Sequence, residues 1–464
     1  MCYNTRMTKN DVLELDITGM TLQGDGIARH GGVPVFVPGV CPGDRVKALI
    51  LKAKPNHAFG KCVEVLTSSP GRADPQCEAF PRCGGCAFRC LDYAAELEIK
   101  QKETAQILKR IGKIDLAPEP ILGAQTSERY RNKALLPLRE IDGQVRAGFY
   151  ARHSHRVVYS EDCKLQPVLF NELAHEICRW AEETRCSVYD ETTGRGLLRH
   201  IYLRQARQCE QALVCLVING NSIPQPDQLV ARLRAASPAV RGVLLNHNSD
   251  ATNVVLGAAQ TLLWGEDRIT ETLRGLEFAL SPLSFFQVNP AQAERLYAVA
   301  EQFAQLRGGE RLLDLYCGTG TIGLSMAKNC AELAGVEVVP QAVADARRNA
   351  AHNGIPNARF ICADAAQAAA RLAGEGWRPD VILVDPPRKG CEAALLQTIA
   401  RMRPRRVVYI SCDPATLARD LAILRGLDYE TKAVQPVDMF PRTGHVECVA
   451  RVENVSAAGE IPAL

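Results

Sequence analysis

Residues 312–324 read Leu-Leu-Asp-Leu-Tyr-Cys-Gly-Thr-Gly-Thr-Ile-Gly-Leu, and this stretch decides the fold. An apolar, strand-like run meets the turn Gly318-Thr319-Gly320-Thr321-Ile322-Gly323, after which a helical pattern begins. Glycines at that spacing permit a tight turn and close backbone approach to an adenosine cofactor. Glu337 closes the next apolar run, where its carboxylate can accept hydrogen bonds from ribose hydroxyls. By themselves these features suit NAD and S-adenosylmethionine equally.

Working outward, RLLDLYC, AGVEVV, ARFICAD, DVILVD and RVVYIS are near-continuous apolar segments, with helical patterns at 321–329, 340–353, 391–402 and 414–425. Such an alternation predicts an α/β fold from about residue 276, a parallel sheet covered by helices on both faces. Ligands on these sheets bind beyond the carboxyl ends of the strands. Tyr316-Cys317-Gly318, Glu337, Asp385-Pro386-Pro387 and Ser411-Cys412 all fall there. The prolines after Asp385 remove backbone donors and stiffen the turn, so a flat ring can stack against it. Asp364 ends another strand and can accept from an adenine amino group. Cys412 lies just before Pro414, where a helix begins, and a thiol at a helix N-terminus is expected to have a lowered pKa.

Toward the N-terminus the rhythm is different. Over residues 8–68, VLELDI, VPVFVPG and VKALILKA are broken by glycine turns, which predicts a small OB-like or SH3-like β-barrel. Residues 69–275 read as an α+β region with helical periods at 93–112 and 166–183 and strands HIYLRQ, QALVCLVI, GVLLN and NVVLG. A net charge of +3 does not by itself mark a nucleic-acid binder. Two local groups do: Arg45, Lys47, Lys52, Lys54 and Lys61 on the barrel, and Arg129, Arg131, Lys133, Arg139, Arg146, Arg152 and Arg156 beyond it. No apolar stretch is long enough to span a membrane, and the start, MCYNTRMTKN, lacks a signal-peptide core. A cytoplasmic protein is expected, with Met7 as an alternative start.

The chain holds 18 cysteines, and in a protein that is not exported most read as small buried hydrophobes, Cys215 and Cys448 among them. Cys77-x5-Cys83-x2-Cys86 is different, because Gly84 and Gly85 let two thiolates converge. The spacing suits zinc or an iron–sulfur cluster, with Cys90 the nearest candidate for a fourth ligand.

The segments 311–324, 381–390, 409–420 and 443–452 resemble those of RNA uracil-C5-methyltransferases that use S-adenosylmethionine. More narrowly, residues 8–452 resemble the 23S rRNA (uracil-C5)-methyltransferase group that carries an N-terminal TRAM barrel and an iron–sulfur cluster. The resemblance implies a class I Rossmann-like methyltransferase domain over 276–455, an RNA-binding TRAM barrel over 8–68 and a cluster-bearing central domain over 69–275. It implies cofactor contacts from Gln287, Tyr316, Glu337, Asp364 and Asp385 around the turn of Gly318, Gly320 and Thr321. It also implies a 4Fe-4S cluster on Cys77, Cys83, Cys86 and Cys163, so that Cys163 replaces Cys90. The residues alone leave His445 and Glu447 equal as a base; the resemblance favours Glu447, with His445 in support. The expected partner is 23S rRNA, the expected state a monomer, and no membrane is involved.

Carbon 5 of uracil is a weak nucleophile. A thiolate added at carbon 6 makes an enolate whose carbon 5 carries charge, dividing one hard step into easier ones. Cys412 would supply that thiolate. Glu447 would remove the carbon-5 proton, with burial raising its pKa toward working pH. The expected function is therefore methyl transfer from S-adenosylmethionine to carbon 5 of a uridine in 23S rRNA through a Cys–C6 adduct. Competing readings are the same chemistry on tRNA and an NAD-linked iron–sulfur redox enzyme. The latter leaves Cys412 and Asp385-Pro386-Pro387 without a use.

Overall fold

The protein is described here from a computed structural model covering residues 7–456; the reading of residues 1–6 as lacking a signal lies outside the described residues. The chain divides into two compact units. The smaller takes the chain up to Glu103 together with Gly148–Cys163 and Phe440–His445, and the larger takes Thr104–Ala147, Lys164–Met439 and the chain from Val446. Among the described residues no helix is long and apolar enough to cross a membrane.

The larger unit contains the sheet announced by residues 312–324. Its strands are β1 (Arg311–Leu315), β2 (Glu332–Glu337), β3 (Ala358–Cys362), β4 (Val381–Val384), β5 (Arg406–Ser411), β6 (Tyr429–Val437) and β7 (Glu447–Asn454), in the order β3-β2-β1-β4-β5-β7-β6. The first five run parallel, and β7 is antiparallel to both β5 and β6. Every residue of β4 and β5 is buried, as their unbroken apolar composition requires. The anticipated helices form as Thr321–Met326, Pro340–His352, Ala393–Met402 and Pro414–Arg425.

Helices at Pro226–Ala236, Pro290–Ala304 and Ala365–Gly374 were not foreseen. Alanine explains the last: its buried face is Ala365, Ala368, Ala369 and Leu372, too small a contrast to show a period in the sequence.

The larger unit also holds strands Ala259–Gly265, Val240–His247, Gln211–Ile218, Leu198–Ala206 and Lys133–Ile141, adjacent in that order. One expected strand does not form. Asn253–Gly257 is irregular, because the Asn248 side-chain amide donates to the carbonyls of Val254 (2.7 Å) and Val255 (2.8 Å). Those side-chain bonds take the place of a strand ladder.

In the smaller unit six strands, Val12–Asp16, Gly19–Met20, Asp25–His30, Val33–Pro38, Arg45–Lys54 and His57–Thr67, form one barrel-like sheet. Its interior alternates with its surface: Val46, Ala48 and Ile50 are fully buried while Arg45 is exposed. Arg45 pairs with Glu14 and Lys47 with Glu64, each at 2.9 Å, so two of the five barrel cations are already matched. Phe36, His57 and Phe59 group on the surface, Phe59 lying 5.8 Å from Phe36 and 5.3 Å from His57 between ring centres.

Candidate functional site

The register of the sheet assembles the site. Val384 is level with Leu315 and Tyr409, so Asp385 emerges beside Tyr316 on one side and Ile410 on the other. Ser411 pairs with Cys448 across antiparallel strands, which puts Cys412, one residue on, opposite Glu447, one residue back. Two residues 35 positions apart in sequence thus face each other at the carboxyl edge.

Electrostatics agree with that placement. Burial, then Asp385, push Glu447 up to about 8, while Arg388 pulls it down. Burial alone pushes Asp385 up to about 7. Burial, then Glu447, push the Cys412 thiol up to about 11, Arg388 opposing and Asp385 adding to the rise. The lowered thiol pKa expected from the helix N-terminus is therefore corrected. Asp413 caps that helix, accepting from the amides of Ala415 (2.8 Å) and Thr416 (3.2 Å), so a carboxylate already occupies the dipole's positive end. The direction expected for Glu447 is the one seen.

The glycine turn is braced from beneath. Tyr316 has φ 66° and Gly318 and Gly320 have φ 54° and 84°, so the left-handed region begins on a tyrosine that tolerates it poorly. A side chain on Gly318 would meet nothing within 4 Å, leaving open space above the turn. The Gly318 amide donates to Glu337 (3.1 Å), whose other oxygen accepts from Val339 (2.9 Å). Thr321 is buried, its hydroxyl engaged with that of Tyr297 at 3.0 Å. Asp364 is exposed and caps the helix Ala365–Gly374 through one oxygen, which accepts from Ala366 and Gln367. Gln287 is buried, and Asn132 holds its backbone: the Asn132 side-chain amide donates to the Gln287 carbonyl (3.1 Å).

Several residues escaped the sequence reading. Asp314, inside β1, accepts from the Gly323 amide at 3.0 Å, and burial followed by Asp385 pushes it up to about 8. Its signal was an acid within an otherwise apolar strand. Phe285 is 60% exposed beside buried Phe286 and Gln287, and Val338 is 62% exposed directly after Glu337. Both are apolar side chains left in solvent. Lys133, which the sequence reading placed only within a basic run, is desolvated and pushed down to about 8 by burial, then by Arg204 and Arg131, and it adjoins Asn132 in the chain.

In the smaller unit lie the four cysteines Cys77, Cys83, Cys86 and Cys163. Cys77 and Cys83 pack on Ala79, Ala151 and Val158, and Cys86 stands within electrostatic reach of Arg89, Cys163 and Cys83. The Gly85 amide donates to Cys83 Sγ at 3.3 Å, the kind of bond that supports a ligating thiolate. Cys90 turns away: it is fully buried, and Cys41 Sγ donates to its carbonyl at 3.1 Å. Among the described residues no group of three or more His, Cys, Asp or Glu side chains is drawn into metal-binding geometry. His445 lies in the smaller unit, edge-on to Phe440 at 5.9 Å.

Comparison with known proteins converges on one class. The family described as tRNA (Uracil-5-)-methyltransferase matches residues 234–454, and the TRAM domain matches residues 6–63. An uncharacterized RNA methyltransferase of Halalkalibacterium halodurans is 43% identical over 448 residues, covering 96% of this chain and 98% of its own. Another, of Clostridium tetani, is 41% identical, covering 95% and 96%. The crystal structure of Pyrococcus abyssi tRNA (uracil-54, C5)-methyltransferase in complex with S-adenosyl-L-homocysteine matches with a TM-score of 0.78 and 27% identity, covering 95% of this chain and 99% of that one. The fold is thus an α/β methyltransferase fold preceded by a TRAM domain. The chain belongs to the RNA (uracil-C5)-methyltransferases that use S-adenosylmethionine.

Proposed function

We propose that this enzyme methylates carbon 5 of a uridine in 23S rRNA through a covalent adduct between Cys412 and carbon 6 of the base. The observation that carries the chemistry is the register that sets Cys412 opposite Glu447, with Asp385 beside them. Bound S-adenosylmethionine supplies an electrophilic methyl group. Cys412 adds as thiolate to carbon 6, forming the S–C6 bond and moving the ring's electron pair to carbon 5, which then takes the methyl as its bond to sulfur breaks and S-adenosylhomocysteine is left. Glu447, as carboxylate, removes the carbon-5 proton, and the returning electron pair expels the Cys412 thiolate. Arg388 lowers both groups and so favours the charged form of each.

Gln287, Tyr316, Gly318, Gly320, Thr321, Glu337, Asp364 and Asp385 are the proposed surround of the cofactor, in a class I Rossmann-like domain over 276–455. Glu337 is held in place by two amides with lone pairs to spare for ribose. Asp364 keeps one oxygen outside its capping role. Phe285 offers a face on which an unstacked uracil can lie. Arg131 and Lys133, beside the Gln287 segment, would contact the flanking phosphates, with buried Arg204 adding its charge from behind. The 8–68 barrel would add stacking on Phe36, His57 and Phe59, and Lys52, Lys54 and Lys61 as contacts for phosphate.

Cys77, Cys83, Cys86 and Cys163 would hold a 4Fe-4S cluster in the 69–275 region, supporting structure, with no part in methyl transfer. Anaerobic preparation should give brown protein, and Cys83→Ser should lose iron and solubility ahead of chemistry; colourless, iron-free wild type would remove the cluster. A cytoplasmic monomer fits a ribosomal RNA substrate.

Methyl transfer from labelled cofactor to unmodified 23S rRNA and tRNA, followed by nucleoside mass spectrometry, tests the substrate. Label as 5-methyluridine in 23S rRNA is expected. Label confined to tRNA would favour the second reading, which the Pyrococcus abyssi neighbour's named substrate supports.

A further inference from the structure

At the amino ends of β4 and β5, on the edge of the sheet away from Cys412, lies a groove of about 990 Å3. Arg378, Arg401, Arg403 and Arg405 line it, with Asp380 as the lone carboxylate among its lining residues. All four arginines are exposed. We propose that this groove is a second RNA contact, in which the arginines grip the phosphodiester backbone of a strand whose target base lies at the opposite edge. The proposal rests on the RNA substrate class alone, not on which RNA is methylated.

Ordinary structural demands account for part of the charge. The helices Ala365–Gly374 and Ala393–Met402 both end here, and cations favour helix C-termini. Arg378 Nη1 donates to the Arg401 carbonyl at 3.4 Å, and Arg401 Nη2 to Thr398 Oγ1 at 2.8 Å. These duties explain one or two cations and leave a surplus. Arg403 ends its helix at φ 53°, a left-handed position where glycine or asparagine is the usual occupant. An arginine there accepts backbone strain and keeps a charge at the groove.

The rest of the same edge supplies the contrast. There Arg311 and Arg359 both pair with Glu332, at 3.6 and 2.9 Å. In the groove, Arg405 reaches Glu310 at 3.5 Å, and among the described residues no carboxylate pairs with Arg378, Arg401 or Arg403. Asp380, one of whose oxygens accepts from the Arg311 amide at 2.8 Å, can offset only one of the four cations. Exposed guanidinium groups with fork geometry suit phosphate, which each can bind through two donors.

Reach is sufficient. β4 has four residues and β5 six, so about 13–20 Å separates their two ends. At ~3.4 Å per nucleotide the straight span alone corresponds to about four to six nucleotides, so a strand of more than about six, passing round the sheet, connects the groove with the catalytic edge.

The test is a salt series of equilibrium binding by the full chain to a fluorescein-labelled oligoadenylate. This probe contains no uracil, so neither methylation nor adduct formation enters the signal, and failure of the 23S rRNA assignment leaves the result readable. Arg403→Gln/Arg405→Gln should make the plot of log K against log salt shallower by ~1.4. Affinity should fall ~25-fold at about 0.1 M salt and match the parent near 1 M. Arg378→Gln/Arg401→Gln, made separately, should act in the same direction and serves if the first pair does not fold. Melting temperature and S-adenosylmethionine affinity of the pair used should equal the parent's. An unchanged slope and affinity in folded variants would overturn the proposal, as would equal weakening at every salt concentration.

Discussion

The two edges of the catalytic sheet gather opposite kinds of ionisable residue. At the carboxyl edge Asp314, Glu337, Asp385 and Glu447 gather, three of them pushed up by burial; at the amino edge four arginines line one groove. The same strands build both, so the difference comes from the residues placed at and near each strand end. Acids held out of water are costly unless a cation arrives, and arginines crowded in water are costly unless an anion does. The enzyme's two ligands meet those needs, since S-adenosylmethionine carries a sulfonium cation and RNA is a polyanion. The asymmetry thus matches the proposed placement of the cofactor at one edge and of the RNA backbone at the other.

The largest effect should come from separating chemistry from cofactor binding at the acidic edge. Cys412→Ala should reduce methyl transfer by at least ~10⁴-fold while cofactor affinity, measured by calorimetry, stays within a few-fold of wild type. Methylation that survives in this variant would remove the covalent route. Glu447→Gln should slow turnover by ~10²–10⁴-fold and behave differently from Cys412→Ala. Loss of the base leaves the adduct formed but unresolved, so a protein–RNA species should persist on a denaturing gel. Its absence, together with the same rate loss, would move Glu447 from proton removal to an earlier step. With wild type, turnover should rise as pH passes about 8, because Glu447 must be ionised to act.

Much of this was legible in residues 312–324, in Asp385-Pro386-Pro387 and in Ser411-Cys412, because parallel strands buried on both faces must be apolar throughout and leave polar residues only at their ends. What stayed hidden depended on long-range register. No local feature of Glu447 shows that β7 inserts between β5 and β6 in the opposite direction, yet that insertion faces it toward Cys412. His445, only two residues away, falls in the other unit. The thiol's raised pKa was hidden for a different reason: burial and then the facing Glu447 push it up, and both are settled only in three dimensions. Cys163 against Cys90 was undecidable from spacing, and the burial of Cys90 against Cys41 is a tertiary fact.

The smallest effect is also the most specific to the contrast between the edges. Asp385 has its pKa raised from 3.8 to about 7, Asp314 from 3.8 to about 8 and Glu447 from 4.5 to about 8. A carboxyl group whose folded pKa lies above its unfolded one contributes stability that is complete below pH ~4 and is lost as pH rises through the folded value. The cofactor-free protein should therefore melt at progressively lower temperature from about pH 4 to about pH 8 and level off above that. A sulfonium cation favours the ionised carboxylates, so its binding should release protons in that window and tighten as pH rises. S-adenosylhomocysteine has the same shape without that charge and should gain less. Calorimetric titrations of both ligands should show the affinity ratio moving toward S-adenosylmethionine by up to ~10-fold per pH unit for each proton whose release the sulfonium alone causes. A ratio that stays flat would mean that the acidic edge does not sense the sulfonium, and the opposition between the two edges would then lose its cofactor half while the arginine groove kept its own.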